Sequence, residues 1–140
     1  MTVTSVVTKK EFYEAIHSIS YRNQDVKEAF DFGCTSIEDC YNKATHLFAR
    51  YYLVKEDDKP IVTVMLQRDG HIIFFISSNV NNKLALIRNL KKLADDTIRD
   101  AGAIITKTAH WYTEALRLNK VIGFKVLSIR DIYSFYSYGE

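Results

Sequence analysis

At 140 residues, 47% apolar and 26% charged, the chain is long enough to bury one core and is expected to form one domain spanning 1–140 with no disordered tract. Its 19 basic and 17 acidic residues leave a net charge of +2, which supplies no strong field for nucleic acid or an anionic membrane. No apolar run approaches the ~18 residues of a membrane helix, and the opening MTVTSVVTKKEF lacks the basic-then-apolar order of a secretory leader, so a cytoplasmic or particle-internal protein is expected.

Residues 3–7, VTSVV, are a β-branched run that predicts a first strand. Thr8 to Glu11, TKKE, has the spacing of a capping box and opens a helix carrying Phe12, Ile16 and Ile19 at helical intervals. A second helical patch places Val26, Ala29 and Phe30 on one face and stops at Gly33. Thr35 to Glu38, TSIE, repeats the capping-box spacing and predicts one more short helix reaching about Leu47. From Phe48 the pattern changes to three strand-like runs, FARYYLVK, PIVTVMLQ and HIIFFIS, the first two separated by EDDK and the last two by RDG, whose Asp69-Gly70 suits a tight hairpin turn; together they predict an antiparallel meander. The third run is apolar almost without alternation, which places it centrally in the sheet.

Residues 81–102, NNKLALIRNLKKLADDTIRDAG, predict a long helix with Leu84, Ile87, Leu90, Ala94, Ile98 and Ala101 inward and Gly102 as its stop. AIITKT predicts a strand, His110 to about Asn119 a helix with Trp111, Ala115 and Leu118 on one face, and FKVLSI and IYSFYSY two final strands. The order β-α-α-(α)-β-β-β-α-β-α-β-β predicts an α/β (α+β) fold, a mixed, mostly antiparallel sheet of about six to seven strands with helices on both faces. The crossover from the third meander strand through the long helix to AIITKT should be parallel and right-handed.

Within YTEALRLNKVIGFKV, residues 112–126, Ala115, Arg117, Leu118 and Gly123-Phe124 fall at the positions of a known C-terminal pattern. With the element order, they make the chain resemble the GNAT superfamily of acetyl-CoA-dependent N-acetyltransferases over nearly all its length. The short length and the run FFISSNVNNKLALIRNLKKL, residues 74–93, further resemble the small GNAT-like internal virion proteins of podovirus-type phages.

The resemblance implies acetyl-CoA as cofactor, its pyrophosphate held by backbone N–H groups at the start of the long helix, an anion at a positive helix end. It places cofactor contacts at Ile76, Ser77, Asn82, Lys83, Leu84 and Ala85. Yet residues 82–87 hold neither the arginine nor the glycines of the family pattern, and Leu84 and Ile87 put bulk where the backbone should be approached. The bare helix start and Lys83 remain to attract phosphate.

The resemblance also implies a tyrosine that protonates the departing thiolate. Asn119 stands at that position and cannot deliver a proton near neutral pH. Tyr112 and His110 are the candidates for a relocated acid, and His71 for the base that deprotonates an attacking amine. Glu56, Asp57, Asp58 and Asp69 read as solvated turn residues, and Glu114 as a surface charge. Cys34 and Cys40 form neither a disulfide framework nor paired metal ligands, the four histidines are scattered, and Cys40 and His46 lie nearly opposite on a helix, so no metal and no cysteine nucleophile is expected. Tyr133 and Phe135 share one strand face and Tyr136 and Tyr138 the other, which suits packing on two sides rather than base stacking.

The resulting reading is a phage-encoded GNAT-fold protein with weak or lost catalysis, acting as an internal virion or host-interacting protein. Its rival is a working N-acetyltransferase on a protein or small-molecule amine, holding acetyl-CoA through Lys83 and the helix start.

Overall fold

The capping box at Thr8 forms. Its Oγ1 accepts the Glu11 N–H at 3.1 Å and Glu11 Oε1 the Thr8 N–H at 3.4 Å, so that helix α1 (Lys9–Ser18) begins directly after strand β1 (Thr2–Val7). The computed structural model describes residues 1–44, 48–130 and 133–139, except for the side chains at 100 and 101. After α1 come α2 (Asn23–Asp31), α3 (Ile37–Lys43), β2 (Arg50–Glu56), β3 (Lys59–Leu66), β4 (Ile72–Ile76) and α4 (Lys83–Ala101). The chain ends with β5 (Ile104–Ala109), α5 (Thr113–Ile122), β6 (Lys125–Ile129) and β7 (Tyr133–Tyr138).

The meander is antiparallel in the order β1-β2-β3-β4, and a second antiparallel sheet has the order β5-β7-β6. The β2–β3 turn closes on two residues because Asp57 and Asp58 take positive φ, 50° and 67°, which matches the twist of the flanking strands. Along β2 and β3, Tyr52, Val54, Val62 and Val64 meet Leu86, Leu90 and Leu93 of α4, while Tyr51, Leu53 and Met65 meet Phe12, Ile16 and Tyr41 of α1 and α3. Helices therefore cover both faces, which explains runs that are apolar with little alternation. Phe12 is fully buried and meets Tyr41 edge to face at 4.7 Å; truncation to alanine there would cost about 3–5 kcal/mol.

The crossover through α4 is parallel, but among the described residues the backbone pairing between β4 and β5 is confined to the His71–Ile105 bridge, with Ile105 N–H donating to Gly70 O at 2.9 Å. Beyond that point no ladder joins them among the described residues, so β4 ends its sheet instead of lying at its centre.

Helix faces depart most from expectation. On α2 the buried residues are Asp25, Glu28 and Ala29, and Phe30 is 73% exposed. Helix α3 is capped one residue later than TSIE suggests, with Ser36 Oγ accepting the Asp39 N–H at 3.0 Å; Leu47, its expected end, lies outside the described residues. The buried stripe of α4 is Leu86, Leu90, Leu93, Ala94 and Thr97, so Leu84 points to solvent while Ile87 and Ile98 sit at the margin. Helix α5 starts at Thr113, leaving Trp111 before it, buries Asn119 and Ile122, and stops at Gly123 with φ 117°. Periodicity fixes the spacing of a stripe, but two adjacent stripes can satisfy it, and the sheet selects one.

Candidate functional site

Two parallel strands that part leave facing backbone groups without partners. Helix α2 meets that need at the far ends of β4 and β5: Asp25 Oδ2 accepts the Ile76 N–H at 3.1 Å, and Glu28 Oε2 accepts the Ala109 N–H at 2.9 Å. The two acids are three positions apart, so one helix face presents both. Asp25 is buried and also accepts Arg22 Nε at 3.2 Å, Arg22 Nη2 at 2.9 Å and the Tyr112 hydroxyl at 2.5 Å. The Arg22 guanidinium lies 5.2 Å from the Tyr112 ring centre and 3.7 Å from Glu114. Burial pushes the Glu28 carboxyl up to about 7 despite the Ala109 N–H, and Asp25 adds to the rise. Burial and then the bond to Asp25 push the Tyr112 hydroxyl up, which makes it a poor proton donor near neutral pH.

Beside this cluster a cleft of about 770 Å³ runs between the α1–α2 connection, the end of β4, the start of α4 and α5. Val80, Ile87, Leu118 and Val121 give it apolar walls, and Lys83 and Arg117 bring cations to them. Glu56 is not the solvated turn residue expected. It is buried, its Oε1 accepting the Asn81 N–H at 3.0 Å and its Oε2 the Asn82 N–H at 2.9 Å, while Asn82 Oδ1 caps the Ala85 N–H at 3.0 Å. Two amides just ahead of the longest helix, those of Asn81 and the N-cap Asn82, therefore hold the chain's own carboxylate instead of a free anion.

Of the expected cofactor positions, Ile76, Ser77 and Lys83 line the cleft, Asn82 and Ala85 are engaged in the helix cap, and Leu84 faces solvent. The four expected catalytic residues have separate partners. Asn119 is buried and donates from Nδ2 to Thr108 Oγ1 at 2.8 Å. Tyr112 belongs to the Asp25 cluster, and the exposed His110 has Nε2 2.7 Å from Ser134 Oγ. His71 lines a second cavity of about 460 Å³, shared with Glu28, with Nδ1 3.1 Å from Asp69 Oδ2. Sequence reasoning missed Arg22, Asp25 and Glu28, whose one signal was three charges at helical spacing, and it misread Glu56.

Cys34 and Cys40 line the second cavity, and burial followed by Cys34 pushes the Cys40 thiol up; His46 lies outside the described residues. Tyr136 and Tyr138 pack on the core, Tyr138 with its ring 5.5 Å from Phe124, while Tyr133 and Phe135 meet at 5.4 Å and Tyr133 packs against Phe32. The described residues contain no group of three or more His, Cys, Asp or Glu side chains placed to hold a metal, and no helix long and apolar enough to cross a membrane.

No family model matches the chain, and no curated protein matches it in sequence. Solved structures do match. The GNAT domain of S. lividans PAT superposes with a TM-score of 0.72 at 12% identity, covering 96% of this chain and 88% of that one. An N-acetyltransferase from Staphylococcus aureus Mu50 gives 0.69 at 15% identity, covering 99% and 97%. A spermidine N-acetyltransferase from Vibrio cholerae, in complex with CoA and spermine, gives 0.67 at 14% identity, covering 98% and 94%. At 12–15% identity these likenesses establish the fold: the chain has the GNAT acetyltransferase architecture.

Proposed function

We propose that this GNAT-fold protein is phage-encoded, no longer transfers acetyl groups from acetyl-CoA, and serves as an internal virion or host-interacting protein. The observation that carries the loss of transfer is the bond from the Ile76 N–H to Asp25 at 3.1 Å. An acyl oxygen reaching that lip of the split would have to displace a buried carboxylate held by Arg22 and Tyr112. Glu56 blocks the amides of Asn81 and Asn82 in the same way, and Asn119 supplies no proton. The residues present do not fit acetyl-CoA in a reactive pose. The virion role is supported by the resemblance of residues 74–93 to internal virion proteins.

A second reading, a working N-acetyltransferase on a protein or small-molecule amine, is favoured by the cleft itself, with Lys83 and Arg117 on its walls. Calorimetry with CoA and acetyl-CoA, together with thiol release in the presence of spermine or lysine, separates the two. Silence up to ~1 mM and no thiol release are expected, whereas binding near ~10 μM, worth roughly 7 kcal/mol, would refute the occupied donors with or without turnover.

A further inference from the structure

Helix α2 leads through Gly33, at φ 86°, into Cys34, whose N–H donates back to Ala29 O at 2.9 Å. The residues on either side of Cys34 are both tied to α3. Lys43 Nζ donates to Gly33 O at 2.8 Å, and the Thr35 N–H donates to Asp39 Oδ2 at 2.9 Å. A 3.1 Å ion pair joins Asp39 to Lys43. At about 100° per residue, positions 39, 40 and 43 share one arc of α3, so the face that grips residues 33 and 35 also carries Cys40. Both cysteines are half-buried, and both line the 460 Å³ cavity. Neither lines the 770 Å³ cleft, so their chemistry stands apart from acyl transfer.

We propose that Cys34 and Cys40 are a redox-active dithiol, which a small disulfide of the glutathione type oxidises to an intramolecular disulfide. Burial followed by Cys34 pushes the Cys40 thiol up, so Cys40 stays protonated and Cys34 attacks first. The Cys34 thiolate, its proton lost to water, displaces one glutathione thiolate and forms a mixed disulfide. The Cys40 sulfur then attacks the Cys34 sulfur, and the second glutathione thiolate leaves and takes up the Cys40 proton. Two protein thiols are oxidised, and one small disulfide is reduced to two thiols.

The new bond would clamp two helices that hold different parts of the fold. Helix α2 holds the end of β5 through Glu28 and the Ala109 N–H at 2.9 Å. Helix α3 holds the meander through the Tyr41 hydroxyl, which donates to Thr63 O at 3.0 Å. Oxidation therefore ties the helix that bridges the split to the helix that lies on β3, along one wall of the cavity.

The test equilibrates the reduced full chain with mixtures of glutathione and glutathione disulfide, followed by intact mass, thiol count and peptide mapping. The wild type should lose two hydrogens and both thiols, keep no glutathione and show a Cys34–Cys40 cross-link. Cys40→Ser should stop with one glutathione on Cys34, and Cys34→Ser should react about tenfold more slowly than the wild type. Phenylarsine oxide, which bridges two close thiols, should bind the wild type and neither serine variant. Because folding holds the sulfurs together, the cross-link should withstand about tenfold more glutathione in the folded chain than in urea. The proposal is overturned if the wild type carries glutathione without a cross-link, or if the disulfide joins two chains. Equal resistance to glutathione in the folded chain and in urea, or a Cys34→Ser variant that reacts as fast as the wild type, would overturn it as well.

Discussion

Replacing Asp25 with alanine tests the cluster that holds α2 across the split. The carboxylate accepts Arg22 at 3.2 and 2.9 Å, the Ile76 N–H at 3.1 Å and the Tyr112 hydroxyl at 2.5 Å. Alanine leaves a mostly buried guanidinium without its buried counterion, with only the exposed Glu114 at 3.7 Å, together with one orphan N–H and one orphan O–H. Breaking a buried pair from one side costs about 3–5 kcal/mol. Domains hold only about 5–15 kcal/mol in all, so roughly a fifth or more of the stability should go. In urea denaturation followed by circular dichroism, the midpoint should fall while the slope stays unchanged. The charge-free double variant Arg22→Met with Asp25→Leu should be milder than Asp25→Ala, because no buried charge is left unpaired. A loss under about 0.5 kcal/mol, or a double variant worse than the single one, would refute the reasoning.

Burial raises the Glu28 carboxyl from its ordinary 4.5 to about 7, so the folded chain favours the protonated form; its contribution is complete below pH 4.5 and is lost as pH rises through about 7. Between those limits the wild type should lose on the order of 3 kcal/mol relative to Glu28→Gln in urea titrations, and equal slopes would count against it. Glu56→Ala should release the Asn81 and Asn82 amides, lower stability by about 1–2 kcal/mol as a lost helix cap does, and let calorimetry detect inorganic pyrophosphate; an unchanged melting curve would show that the cap carries no weight. Asn119→Ala, which orphans the buried Thr108 hydroxyl, should cost about 2 kcal/mol in thermal denaturation, and a negligible shift would mean that the 2.8 Å bond is incidental.

The features legible in the sequence are those that depend on neighbours along the chain. The capping box at Thr8, the helix stop at Gly102 and the turn at Asp57-Asp58 each need only a few adjacent residues, and each is where the sequence places it, whereas the last helix runs past its expected end near Asn119 to Ile122. The position of Asn119 was singled out only by the resemblance to the GNAT pattern, and its bond to Thr108 was not legible. The inward face of α2 was not legible because apolar periodicity points to Val26 and Phe30, whereas the residues that turn inward answer donors 51 and 81 positions further on. Glu56 fails for the same reason. A carboxylate in a turn signal reads as solvated until the fold brings residues 81 and 82 against it.

A split pair of parallel strands and a helix N-terminus each present backbone donors that water, a ligand or a side chain must satisfy. In this chain Asp25, Glu28 and Glu56 satisfy four of them from within. Stability alone does not account for the Arg22–Asp25 pair, since well-packed apolar residues of similar volume often serve a buried site as well or better. Connectivity does. One oxygen of Asp25 holds Ile76 at the end of β4 and the other holds Tyr112 at the start of α5, while Glu28, one turn along α2, holds Ala109 at the end of β5. A single helix thereby fixes the spacing of the two sheets and the position of the helix that forms one wall of the cleft. Apolar side chains could fill that space, but they could not address each backbone N–H separately.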